Sequence, residues 1–228
     1  MVLGGVSDTQ DSTGTITPIF CEPVSATLIS EAMKQMVGEI EQIPPMYSAV
    51  HHQGRRLYEL ARAGKHVQVK PRLATIHYLE LQEVAFANEK QVVRFTIGCS
   101  SGTYVRTICH DLGQQIGCGA YLSSLIRLRS GPFRINEAIS LDSLTSDPDD
   151  IKTRLIPPDI PLQGMPRAEL NSSQLWTIAN GGPVFWSEAE NNELYRVYDQ
   201  SGKLLAIAKG CSNADGTMLQ PEKVFTRG

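Results

Sequence analysis

At 228 residues, with 41% hydrophobic and 20% charged positions and a formal net charge of −3, the chain has an ordinary globular make-up, with room for one sizeable domain and a small one. No apolar run approaches the roughly 18 residues of a membrane span, and the N-terminus lacks the basic-then-apolar pattern of a secretory signal. Cys21, Cys99, Cys109, Cys118 and Cys211 are odd in number and form no C-x-x-C pair, which argues against a zinc site or disulfide framework and predicts reduced thiols in a cytoplasmic protein.

In chain order, residues 3–14 (LGGVSDTQDSTG) are polar and turn-rich. Leu28, Ile29, Met33, Met36 and Val37 recur at helical spacing, with Ser25 as a candidate N-cap and a stop at Gly38. Ile43-Pro-Pro-Met-Tyr-Ser48 is extended, because proline disfavours helix for the residue before it. Tyr47, Ala49 and His51 would then share one face of a strand ending near Gln53-Gly54, with His52 on the other face, so the two histidines cannot hold one metal and no metal site is expected. Leu57, Leu60 and Ala61 predict a short helix stopped at Gly64. Around it Arg55, Arg56, Arg62, Lys65, Lys70 and Arg72 cluster. Residues 50–135 hold 12 Lys/Arg against 5 Asp/Glu, so an acidic chain carries one strongly basic segment, suited to a confined polyanion site. Arg55, Arg56, Lys65, Lys70 and Arg72 are the candidate phosphate contacts.

Residues 72–86 and 91–99 read as two strands in the middle of a sheet. After the second comes Ser100-Ser-Gly102, a plausible N-cap at Thr103, and an amphipathic helix carried by Val105, Ile108, Cys109 and Leu112 and closed by Gly113. Tyr104 and Arg106 thus stand in the first turn of a helix beside a strand end, where Arg106 offers a fixed fork to an anion and Tyr104 a flat face with a polar tip. Gly117-Cys-Gly-Ala120 is a loop, and Ser130-Gly-Pro-Phe-Arg134 turns the chain into a last strand of this part. Asp142 to Pro161 is linker-like. From Ala168 a second unit follows. Leu175, Trp176 and Ile178 suggest a short helix before Asn180-Gly-Gly182, and Tyr195, Val197 and Leu204, Ala206, Ala208 flank the turn Asp199-Gln-Ser-Gly202 as a hairpin.

Gly102-Thr-Tyr-Val-Arg106 with Asp111-Leu-Gly113 resembles the helix-start motif of the TruB family of tRNA pseudouridine synthases. Gln42-Ile-Pro-Pro-Met-Tyr-Ser-Ala-Val50, Gly54-Arg-Arg-Leu-Tyr-Glu-Leu-Ala-Arg62 and Leu128-Arg-Ser-Gly-Pro-Phe133 resemble further signatures of that family in its order, and residues 3–14 its L-G-x-x-T-D-T-x-D-x-x-G loop. The match runs over most of residues 3–145, and the final segment, ending Pro221-Glu-Lys-Val-Phe225, resembles a PUA domain. The resemblance implies isomerisation of a T-loop uridine of tRNA to pseudouridine, with tRNA as partner, no cofactor, no membrane, and a monomer. It also implies roles: Arg106 as the arginine that pairs with a nucleophilic Asp, Tyr104 beside it in the pocket, and Leu125 lining it. A guanidinium would hold that carboxylate ionised, and flat or apolar groups would keep water out.

That family carries its nucleophile in a G-x-L-D-x-x-A-T/S-G segment, and no such segment occurs in these 228 residues; the stacking tyrosine on the strand ahead of the Leu3 loop is missing too. Asp8 and Asp11 match the loop instead, and Asp111 reads as a structural carboxylate near a helix end. The expectation is a chain that starts in mid-domain and is inactive as it stands, with Arg106 lacking its carboxylate in a loosened pocket. The alternative is a non-catalytic RNA-binding or RNA-folding protein derived from the same family. The expected fold is α+β: a mixed, largely antiparallel sheet with flanking helices over residues 1–145, a linker over 146–167, and a small β-barrel-like RNA-binding domain over 168–228.

Overall fold

Apolar residues at alternate positions set the central sheet of the N-terminal part. The computed structural model describes residues 1–65, 67–146, 153–213 and 216–225, in two compact units, Met1–Ile126 and Arg127–Gly228. The first unit runs β1 (Val2–Leu3), β2 (Gly5–Ser7), β3 (Ile16–Pro18), α1 (Ala26–Gln35), β4 (Gly38–Gln42), β5 (His51–His52), β6 (Arg55–Arg56), α2 (Leu57–Arg62), β7 (Arg72–Ala87), β8 (Lys90–Cys99), α3 (Val105–Ile116) and β9 (Ala120–Tyr121). Its main sheet has the order β4-β7-β8-β1-β9, with every neighbour antiparallel. On β7 the buried positions run Ala74, Ile76 and then Leu79, a slip of one residue. A register shift against β8 between Ile76 and Tyr78 accommodates that slip, so the apolar set stays on the core face.

α1 and α3 supply Ile29, Met33, Ile108 and Leu112 to the core that Ile76, Leu79 and Val93 of the sheet complete. α1 begins as its sequence predicts, with the Ser25 hydroxyl accepting from the Leu28 amide at 3.2 Å. The helix signal around Tyr104 also holds, but both ends differ from the expectation. The N-cap is Tyr104, not Thr103, because the Thr103 hydroxyl turns back to donate to the Ser100 carbonyl. The far end is Gly117, at φ 87°, and not Gly113. Gly113 lies inside the helix for a packing reason: a Cβ there would stand 2.1 Å from the Ala120 amide nitrogen. Asp111 is therefore mid-helix rather than at an end. The long strand expected up to Gln53 shrinks to His51–His52, paired with Arg55–Arg56 across a turn in which Gln53 and Gly54 both have positive φ.

The expectation of five reduced thiols is corrected. Cys21 and Cys118 form a disulfide with Cα atoms 5.2 Å apart, because the chain after β3 and the α3–β9 loop run side by side; Cys99, Cys109 and Cys211 are free.

The second unit contains the short pair β10 (Arg129–Ser130) and β11 (Phe133–Arg134), α4 (Leu141–Ser146), β12 (Arg167–Ala168), α5 (Ser172–Ala179), β13 (Val184–Phe185), β14 (Leu194–Tyr198), β15 (Leu204–Asn213) and β16 (Gly216–Val224). The predicted hairpin is β14–β15, within a sheet of order β12-β14-β15-β16-β13. Ile178 of α5 packs on Val197, Ala206, Ala208 and Leu219 of that sheet. No helix among the described residues is long and apolar enough to cross a membrane.

Candidate functional site

The first turn of α3 is held from outside the helix. Gln42, buried at the end of β4, accepts from the Tyr104 amide at 2.7 Å and donates to the Tyr104 carbonyl at 3.1 Å, so one side-chain amide satisfies both backbone groups at the helix start. This fixes Arg106, two residues further on. Its guanidinium donates to Asp11 Oδ2 at 3.1 Å and to the Tyr47 carbonyl, and lies 6.0 Å from the centre of the Tyr104 ring. The Arg106 and Asp11 side chains are only 21% and 20% exposed, so their attraction is poorly screened.

Asp11 is itself tightly placed. Its Oδ1 accepts from the Thr9 hydroxyl at 2.8 Å, the Thr13 amide at 3.0 Å and the Thr13 hydroxyl at 2.5 Å. The loop carrying it is clamped to the chain after β9, where the Ser12 amide donates to the Leu122 carbonyl at 2.8 Å and the Leu122 amide to the Gln10 carbonyl at 3.0 Å. Burial pushes the Asp11 carboxyl up, but the hydrogen bonds from Thr13, Thr9 and Arg106 outweigh it and hold it below the usual carboxylate range. The expectation of an Arg106 without a carboxylate beside it is thus corrected: Asp11, 95 residues away in sequence, pairs with it.

Next to this pair lies a cleft of about 680 Å³. Asp8, Gln10, Glu41, Thr107, His110 and Asp111 form its polar lining, and Ile43, Pro44, Pro45, Met46, Tyr47 and Ala61 the rest. Burial raises the Asp111 carboxyl above its ordinary value, an effect that nearby His110 partly offsets. Adjacent positions on a helix diverge by about 100°, so His110 and Asp111 make a poor acid–base pair. Leu125 lies 56% exposed in the chain after β9. Arg55, Arg56, Lys65, Lys70 and Arg72 are all exposed, on β6, after α2 and at the start of β7. Arg56 and Arg62 flank the Tyr58 ring at 6.0 and 5.5 Å.

The sequence pointed to Arg106 and Tyr104 but missed Gln42, Asp11 and the Tyr47 carbonyl as their partners. A loop with two aspartates among threonines and serines was the available signal for Asp11. Gln42 opens one of the family-like signatures, but nothing local marked it as a helix partner, because β4 has a single fully apolar residue, Ile40.

Comparison with known proteins identifies the family. Residues 1–105 match the model of the TruB family pseudouridylate synthase N-terminal domain, and residues 106–162 that of the tRNA pseudouridylate synthase B C-terminal domain. The tRNA pseudouridine synthase B of Syntrophomonas wolfei is 43% identical over 225 residues, covering 99% of this chain and 75% of that protein. Its counterpart from Dehalococcoides mccartyi is 37% identical over 226 residues, covering 98% and 73%. Among solved structures, a chain of a Cbf5–Nop10–Gar1 complex superposes with a TM-score of 0.67 at 24% identity. A chain of an H/ACA RNP bound to a substrate RNA containing 2′-deoxyuridine gives 0.63 at 22%. Each match covers 90% of this chain and 63% of the other, and establishes a shared pseudouridine synthase fold. With both family models matched in order and relatives this similar along almost its whole length, the chain belongs to the TruB family of pseudouridine synthases.

Proposed function

We propose that this chain binds the T arm of tRNA and contributes the arginine side of a uridine-to-pseudouridine isomerisation centre. The observation that carries the reading is Arg106, seated at the head of α3 between Asp11 and the Tyr47 carbonyl and next to a cleft. Arg106 would orient the carboxylate that attacks the ribose, Tyr104 would stand beside it, and Leu125 would line the pocket. The target base must first leave its stack, at a cost of a few kcal/mol. The exposed arginines and lysines from Arg55 to Arg72 would hold the phosphates, and residues 168–228 would act as a PUA-like RNA-binding unit. These 228 residues contain no G-x-L-D segment to supply the nucleophile, so the polypeptide alone is proposed to bind without reacting. A second reading, a non-catalytic RNA-binding protein, draws support from Asp11, which already neutralises Arg106 within the chain.

The test is to join an upstream segment carrying a G-x-L-D motif to this chain and to measure pseudouridine in tRNA. Activity should appear, and Arg106→Ala in the extended protein should remove it by a factor of at least about 100, equivalent to about 2.7 kcal/mol of transition-state stabilisation. Activity that survives Arg106→Ala would contradict the role given to this residue. An extended protein that binds tRNA without reacting would favour the second reading.

A further inference from the structure

In the second unit, Arg167 of β12 and Arg196 of β14 are register partners on parallel strands, so their side chains leave the same face side by side. Tyr198, two positions beyond Arg196 on β14, shares that face. The Arg167 Cζ lies 4.7 Å from the centre of the Tyr198 ring and the Arg196 Cζ 5.8 Å from it. Arg196 is anchored: its Nε donates to the Met165 carbonyl at 2.9 Å and its Nη1 to the Tyr198 hydroxyl at 3.2 Å. The Tyr198 hydroxyl donates in turn to Asp159 Oδ2 at 2.7 Å. The phenol hydroxyl is therefore held by two partners. The Arg167 side chain is exposed and, among the described residues, makes no hydrogen bond or ion pair.

Two guanidiniums beside one ring repel each other, and one carboxylate, engaged through the phenol, answers them. A guanidinium resting on an aromatic face keeps its in-plane N–H donors free at its edge, the geometry that receives a phosphate in two parallel hydrogen bonds. We propose that Arg167, backed by Tyr198 and Arg196, is a phosphate-binding site for an RNA strand on the second unit. The proposal rests on the RNA-binding reading above. An RNA is favoured over an acidic peptide because the same arrangement, Arg56 and Arg62 about Tyr58, recurs in the basic segment of the first unit.

The experiment is filter binding of the 228-residue chain to a tRNA transcript across a salt series, for the wild type, Arg167→Gln and Arg167→Lys, with thermal melts to compare folding. Arg167→Gln should melt like the wild type, bind roughly 3- to 10-fold more weakly, and lower the slope of log affinity against log salt by about one. Arg167→Lys should keep the slope but lose affinity, since an ammonium has neither the fork nor the flat face. Unchanged affinity and slope in Arg167→Gln, beside a wild type that binds tRNA, would overturn this site and leave the RNA-binding reading standing. A wild type that does not bind tRNA would overturn both. Loss of polyglutamate binding in Arg167→Gln with tRNA binding intact would overturn it in favour of an acidic peptide.

Discussion

Arg106 and Asp11 form a pair whose protonation has a definite direction. The hydrogen bonds to Asp11 lower its carboxyl pKa in the folded chain. Its contribution to stability is therefore complete above the ordinary carboxylate range and is lost as pH falls through the lowered value. Asp11→Asn keeps the shape but weakens the acceptance of a charged donor, and should destabilise the chain by about 1–3 kcal/mol at neutral pH. The difference between the wild type and this variant should narrow in acid, read as melting temperature against pH. A gap that stays constant down to strong acid would show that the Asp11 charge does not support the fold. The pair itself was not legible in the sequence. Arg106 was singled out by its place after Gly102 and Tyr104, but its partners lie 95 and 59 residues away, and only the fold joins them.

Helix α3 illustrates how local patterns and packing divide the information. Val105, Ile108, Cys109 and Leu112 gave its existence and its buried face, because the apolar spacing matches the helical period. Its end was misjudged because a glycine has two uses. Gly117 takes the left-handed conformation that stops the helix, whereas Gly113 allows Ala120 to approach. Nothing local distinguishes them. Gly113→Ala should accordingly act through that contact: the added methyl would meet backbone atoms of the α3–β9 connection, which cannot swing aside as a side chain can. A loss of about 1–3 kcal/mol is expected in chemical denaturation, where an ordinary helical Gly→Ala change would stabilise. A more stable Gly113→Ala chain would contradict this packing. Strand β4 was missed for a related reason. Its five residues are held by backbone pairing to β7, and Glu39, Ile40 and Glu41 offer too little apolar signal.

At the scale of the whole chain, the two long strands β7 and β8 and the C-terminal hairpin were readable, since alternation and turn residues mark them locally. The Cys21–Cys118 link was not, because it depends on two segments 97 residues apart meeting behind β3. Charge distribution was also readable, and it yields a prediction at this scale. Arg55→Ala with Arg56→Ala should lower the salt slope of tRNA binding by roughly one to two units, in proportion to the phosphates released. An unchanged slope would place the RNA elsewhere on the protein. The central proposal is that this polypeptide holds a tRNA-binding surface and the arginine of a pseudouridine centre without the attacking carboxylate. The most direct measurement is a pseudouridine count, by mass spectrometry of nuclease-digested RNA, after tRNA has been incubated with saturating amounts of the purified 228-residue chain. The expected result is bound tRNA with no pseudouridine formed. Pseudouridine in the T loop above the enzyme-free control would contradict the account and direct the search to Asp8, Asp11 and Asp111.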